Sequence, residues 1–348
     1  MDQKTLVNAI KASSVHKKVG IYIREYINNI IKNDIESGLM LKDIAILIEN
    51  KIKEEIKFDI NNPLDKGIAF PTGLSVNNCA AHYTPNFREK DIKLCYDDII
   101  KIDYGVHVNG TIIDSAFTLH FDPKYDEFIN ISRNLTKYAV SLCRPDAILG
   151  EIGRDIEEYI KSKEIVIDNK TYKLNIMRDL SGHMISKYEI HAGKAVPNIA
   201  INYPLRMKES EYYAIEPFIT TGKGDSIVKE PTSHYMLVKN HEYIAKELRL
   251  TSIKKNLPIN NLYKIINTNY STLPFCQRWL YELDMVESNK INKISMDYDK
   301  ILKELENKKI LNSYPPLYDI NNSIISQFEH TIFVKENGII NLTHNEFY

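Results

Sequence analysis

Apolar residues return every three to four positions from Val15 through Val19, Ile23, Ile27 and Ile30, which predicts an amphipathic helix over about 13–33. Gly38 punctuates it, and Ile44, Leu47, Ile48, Ile52 and Ile56 predict a second helix over about 41–56. The pattern then changes. In DDIIKIDYGVHVNGTIIDSAFTLHF, β-branched and aromatic residues flank Asn109-Gly110, a pair that favours a type I′ turn, so the segment reads as a β-hairpin. Two more helices are expected at about 125–143 and 148–163, followed by strands up to Ile219. Helix, helix, strands therefore occurs twice in the first 220 residues, as a likeness of layout without a residue-level repeat. The architecture this favours is α/β (α+β), an antiparallel sheet backed by two helix pairs. Residues 233–313 break the pattern and read as mainly helical, around 260–268, 274–283 and 297–308. YPPLYDI and SIISQFEHTIFV then return to strands, so 1–232 and 314–348 read as one domain carrying a helical insertion at 233–313.

Composition narrows the function classes. The 348 residues are 43% hydrophobic and 26% charged, with a formal net charge of −1, so no global field draws the chain to nucleic acid or to an anionic membrane. No apolar run approaches the ~20 residues of a membrane span. The N-terminus lacks the basic and apolar segments of a signal peptide. Cys79, Cys95, Cys143 and Cys276 are scattered without a CxxC pair, as in a reducing compartment, and the cytosol is the expected location. The insertion holds thirteen Lys/Arg against nine Asp/Glu, spread along it. Its helices around 260–283 therefore read as packing and pocket-shaping rather than as a nucleic-acid reader.

The hairpin carries the first chemistry. With a two-residue turn at Asn109-Gly110, Asp114 lies opposite Gly105, and Asp103 points to the same face two residues earlier. The carboxylates are then diagonal neighbours ~7–8 Å apart at Cα. Such a pair repels unless cations sit between its members, and a metal pair ~3.5–4 Å apart fits the gap. Two solvated acids would read equally well from the hairpin alone. The neighbours Ile100, Ile102, Ile112, Ala116 and Phe117 favour burial, and buried carboxylates need partners. SGHMISKYEIHAGK adds His183 and His191, which share a site only if the chain bends near Ser186-Lys187. YYAIEPF and SQFEHTIFV place Glu216 and Glu329 in apolar strands. Together Asp103, Asp114, His183, Glu216 and Glu329 offer four negative charges and one imidazole, a set that suits two divalent ions such as Mn, Co, Fe or Zn.

FPTGLSVNNCAAHYTPN, KIDYGVHVNGTIIDSAFT, SGHMISKYEIHAGK, YYAIEPFITTGKG, SHYM, YPPLYDI and QFEHTI, in this order, resemble methionine aminopeptidase of type 2. The resemblance runs from about residue 15 to the C-terminus and implies the pita-bread fold, two similar halves around a central metal site. The 233–313 segment resembles the helical, winged-helix-like subdomain of type 2 enzymes. It further implies removal of N-terminal methionine from nascent polypeptides by hydroxide attack from a dinuclear centre, with Asp103, Asp114, His183, Glu216 and Glu329 as ligands. In the family pattern Asp114 and Glu329 bridge both metals, and Glu216 also moves the proton. His82, the family's target for covalent epoxide inhibitors, would address the scissile amide, and His191 the oxyanion. Phe70, Ile190, Phe218, His234 and Tyr314 match the methionine pocket, although by composition they would read as core. A transient meeting with the ribosome fits the substrate, but the long charged N-terminal extension of eukaryotic members is lacking here.

Two alternatives have the same fold. Proline-specific dipeptidases and aminopeptidases carry a sizeable N-terminal domain, whereas only about 80 residues precede His82 here. Metal-free binding proteins of this fold lose ligands, and this chain keeps all five.

Overall fold

A computed structural model describes residues 3–33, 38–87, 89–250, 258–288 and 297–345. The first helix pair is Gln3–Asn33 and Leu41–Ile56. The first member starts ten residues before the expected 13, because Leu6, Ala9 and Ala12 carry the buried stripe onward with side chains mostly too small to register as a pattern. The second pair is Asp126–Leu142 and Leu149–Ile160, close to expectation.

Strands Ile99–Val108 and Thr111–His120 form the hairpin, with Asn109 at φ 49° and Gly110 at φ 76°, the two left-handed residues that a type I′ turn requires. Lys66–Ile68 and Gly73–Val76 pair with the other edge of Ile99–Val108. In the second half the strand order is Ala195–Pro197, Ser181–Ile185, Tyr212–Ile215, His330–Lys335 and Gly338–Asn341. A smaller sheet continues it with Asn175–Ile176, Phe218–Thr220 and Ile325–Gln327. Each half is thus antiparallel sheet backed by a helix pair, which is the pita-bread arrangement.

The halves are stitched along Thr111–His120. Thr118 Oγ1 donates to the Gln327 carbonyl at 2.7 Å, and the Glu329 N–H donates to the Ala116 carbonyl at 2.9 Å. The Asp114 N–H donates to Thr331 Oγ1 at 2.9 Å. From behind, His16 on the first helix stacks on Tyr104 at 4.1 Å, and the Tyr104 hydroxyl donates to the His16 carbonyl at 2.8 Å.

The described residues of 233–313 pack around a hydrophobic cluster of their own, including Leu237, Leu262, Ile266, Phe275, Leu305 and Leu311. Helices His241–Glu247, Pro258–Asn269, Gln277–Ser288 and Tyr298–Asn307 pack there. The mainly helical reading misses a three-stranded sheet of His234–Leu237, Phe275–Cys276 and Leu311–Tyr314. Its strands have only two to four residues, too few for an alternation to show. Its outer register joins His234 to Tyr314 at the stem. Among the described residues no helix is long and apolar enough to cross a membrane.

Gly105 is fixed by space. A Cβ there would lie 2.2 Å from the Phe70 ring and 2.8 Å from Ala69 Cβ. Gly105→Ala should therefore cost ~1–3 kcal/mol by overpacking, read from urea unfolding. Unchanged stability would mean that Phe70 moves freely and is not seated by the hairpin.

Candidate metal centre and its cavity

In the hairpin Gly105 faces Asp114 and Asp103 faces Ala116, which makes Asp103 and Asp114 diagonal neighbours on one face. The glutamates differ from expectation. Glu216 lies in a break between Tyr212–Ile215 and Phe218–Thr220, and Glu329 in a break between Ile325–Gln327 and His330–Lys335. Pro217 has no N–H to give the ladder, which explains the interruption beside Glu216. Tyr212 pairs with Phe333 and Phe218 with Gln327, so one register runs through the gap and sets Glu216 opposite Glu329.

His183, in Ser181–Ile185, pairs with Ala214 and reaches both acidic pairs. Its Nε2 lies 3.4 Å from Asp114 Oδ2 and 3.3 Å from Glu216 Oε1. Gln327 Nε2 donates to Glu216 Oε2 and to Glu329 Oε2, each at 3.2 Å. Asp114, His183 and Glu329 each offer a ligand atom, all within 4.8 Å of one another.

Burial, with the charges of Asp114 and Glu216 added, holds the Asp103 carboxyl well above the usual range. Glu329 is raised in the same way by burial and by Asp114, Glu216 and Asp103. Glu216 is raised by burial, and its hydrogen bond with His183 only partly offsets this. Burial alone would lower His183, but hydrogen bonding to Asp114 and Glu216 carries it up to about 10. Asp103 Oδ1, Glu329 Oε1 and His183 Nδ1 are buried with no hydrogen-bond partner among the described residues. Hard oxygen donors, one imidazole and orphaned carboxylate oxygens are what divalent cations complete, so the residues present fit a metal pair.

A turn closed by the Ser186 N–H donating to the Glu189 carbonyl brings His191 back to His183, ring to ring at 4.4 Å. That bend falls where two histidines of one site need it. All twelve sequence-derived residues line one cavity of about 270 Å³: Asp103, Asp114, His183, Glu216, Glu329, His82, His191, Phe70, Ile190, Phe218, His234 and Tyr314. His82 lies 5.9 Å from the Tyr314 ring and 6.0 Å from the His234 ring. Burial lowers His82 to about 4, and His191 and His234 to about 3, so all three are neutral at pH 7.

Sequence reasoning missed Gln327, Met236, Leu317 and Pro274. Gln327 and Met236 each stand two positions from a named residue, Glu329 and His234, where strand periodicity could have found them. Pro274 carries no such signal.

Two similar halves closing on a cavity of carboxylates and imidazoles define a metal-dependent hydrolase of the pita-bread fold. The chain belongs to metallopeptidase family M24, whose model matches residues 11–237. It is 39% identical over 334 residues to Methionine aminopeptidase 2A of Arabidopsis thaliana, an alignment covering 96% of this chain and 69% of that protein. Among solved structures it resembles a thermophilic Arx1, with a TM-score of 0.75 at 15% identity over 100% of this chain and 92% of that one. Methionine aminopeptidase from Thermotoga maritima gives a TM-score of 0.60 at 19% identity, covering 99% of this chain and 98% of that one. The two structural likenesses speak for the fold alone.

A carboxyl whose folded pKa exceeds its unfolded one stabilises the fold while protonated, and that contribution is lost as pH rises through the folded pKa. Without metal near pH 7, Asp103, Glu216 and Glu329 therefore destabilise the fold, and cations relieve them. Chelation should lower Tm by several degrees near pH 7 and by less near pH 5. Asp114→Asn removes a charge that presses on Asp103 and Glu329. It should raise Tm of the chelated protein while erasing most of the gain from added Mn or Co. A chelated variant that melts below chelated wild type would contradict this electrostatic account.

Proposed function

We propose that this chain is a methionyl aminopeptidase that frees N-terminal methionine from nascent peptides in the cytoplasm, with Asp103, Asp114, His183, Glu216 and Glu329 as its metal ligands. The observation that carries the reading is the cavity itself, whose lining joins the five donors to the aromatic rings of Phe70, Phe218 and Tyr314. When bound, two divalent ions supply the Lewis acidity that activates water, polarises the scissile carbonyl and anchors the free amino group.

The chain's own groups do the rest. Glu216, its carboxyl raised by burial, takes the proton of the attacking water on a carboxylate oxygen and hands it to the departing amine. Gln327 Nε2 holds Glu216 Oε2 and keeps that carboxylate oriented. His191 is neutral and donates an N–H towards the carbonyl oxygen as negative charge gathers there. His82, next to Tyr314 and His234, addresses the amide. Phe70, Ile190, Phe218, His234 and Tyr314 receive the unbranched thioether side chain. Residues 233–313 act as an insertion that walls this pocket through His234 and Met236 at one end and Pro274 between its helices. Any contact with the ribosome is transient and follows from the substrate.

The test compares kcat/KM for peptides headed by Met, norleucine, Ala, Lys and Xaa-Pro. Methionine and norleucine should lead, because each methylene left unburied by a shorter residue costs ~0.8 kcal/mol. Phe70→Ala should blunt that preference. Glu216→Gln should lower kcat by ~10²–10⁴ with metals retained. His191→Ala should cost ~10²–10³ across all substrates. Preference for Xaa-Pro, or indifference to the first side chain, would sink the methionine reading. A Glu216→Gln enzyme within tenfold of wild type would sink the proton role.

A further inference from the structure

Segments that line or back the cavity meet at Tyr188, on the turn between His183 and His191. Its φ of 57° is left-handed, which a bulky side chain adopts only when its surroundings impose it. The imposing contacts come from three other parts of the chain. Its N–H donates to the Gly110 carbonyl at 2.8 Å. Its hydroxyl donates to the Leu64 carbonyl at 2.8 Å, and its own carbonyl accepts from Thr272 Oγ1 at 2.6 Å. The ring lies flat against Gly110, where an added Cβ would come within 2.4 Å of it. One residue thus ties the active-site loop to the hairpin turn, to the loop before Lys66–Ile68 and to the 233–313 segment. Ile190 and His191 follow Tyr188 by two and three positions, and Pro274 follows Thr272 by two; all three line the cavity.

Leu273, between Thr272 and Pro274, also lines a second cavity of about 220 Å³ with Ile68, His107, Tyr270 and Trp279. Tyr270 stacks on Phe275 at 5.3 Å and on Trp279 at 5.6 Å, so aromatic packing steadies this stretch on that side. Polar ties add to it. Arg278, clamped by two hydrogen bonds to Glu49 at 2.6 and 2.9 Å, fixes the start of the next helix. Thr272 ties the stretch nearer the pocket.

We propose that Tyr188 is a positioning residue which, through Thr272, fixes the distance between the 233–313 wall of the methionine pocket and His191, and so sets selectivity for methionine. Neither Tyr188 nor Thr272 lines the substrate cavity. The inference rests on the methionine reading above and adds what holds the pocket to width.

Thr272→Val keeps the shape and removes the hydroxyl; Thr272→Ser keeps the hydroxyl. In the metal-loaded enzyme Thr272→Val should narrow the Met-to-Ala ratio in kcat/KM by roughly three- to tenfold, the scale of one lost hydrogen bond, mainly through a higher KM for Met. Thr272→Ser should remain within about twofold of wild type. Tyr188→Phe, which frees the other end of the tie, should narrow the ratio too and also lower kcat, since His191 loosens with it. The double variant Tyr188→Phe/Thr272→Val should lose less than the two single losses combined, because both release one loop. A folded Thr272→Val or Tyr188→Phe enzyme with the wild-type ratio overturns the proposal. So does a Thr272→Ser enzyme that behaves like Thr272→Val. A wild-type enzyme without methionine preference overturns the underlying reading instead, and the wild-type measurement alone tells the two failures apart.

Discussion

Four carboxylates in one water-poor cavity repel one another, and the surrounding structure is organised to hold them there. Isolated burial of even one ionised carboxylate is unfavourable by several kcal/mol, so such a cluster persists only on a backbone that does not yield. Asp114, on its strand, and Glu329, in the break of the facing one, are held at the seam between the halves: the Asp114 N–H donates to Thr331 Oγ1 and the Glu329 N–H to the Ala116 carbonyl. The seam sets where the charges stand, and Gln327 neutralises nothing but occupies one oxygen on each glutamate. What it leaves over, Asp103 Oδ1 and Glu329 Oε1, has no protein partner among the described residues. The cluster is therefore a cation site by subtraction as well as by composition.

The two halves solve the same problem differently. An unbroken hairpin with an even register can place two acids on one face only diagonally, as Asp103 and Asp114 are. In the other half the strands part at Pro217, and Glu216 and Glu329 meet directly across the gap while the register on both sides is kept. His183 lies against one member of each pair, Asp114 and Glu216, which is why its protonated form is favoured when no cation is there. A metal held through His183 would have to displace that proton, which would link occupancy and pH at this residue.

How legible this was depended on the range of the determinant. The hairpin was readable because Asn109-Gly110 fixes the register locally and everything to Asp114 follows by counting. The helix pairs were readable from spacing, except where alanines carried the stripe in the first helix. The breaks at Glu216 and Glu329 were not, because each segment looks like a strand until its partner strand is known. Nor was the sheet inside 233–313, whose register depends on Leu311–Tyr314 returning some seventy residues after His234–Leu237. The candidate ligands were legible as acids and a histidine in apolar segments, and the family motifs gave them roles; Thr272, by contrast, meets Tyr188 only across 84 residues of chain, which no local pattern announces.

The same desolvation acts on every group in the cavity with opposite sign for acids and bases. It lifts Asp103, Glu216 and Glu329, and it depresses His82, His191 and His234. Cations can then enter among acids without meeting a ring of competing imidazolium charges. A neutral imidazole has one N–H donor and one acceptor; His234 has its Nδ1 engaged with Ser233 Oγ at 3.0 Å, so it has at most its other nitrogen to turn towards a peptide. Depressing three histidines by burial needs walls that exclude water, and aromatic residues such as Phe70, Phe218 and Tyr314 do this while leaving an apolar slot. The apolar slot and the dryness that keeps the histidines neutral are thus one structural feature, so in the proposed enzyme a change that opens the wall alters specificity and proton chemistry together.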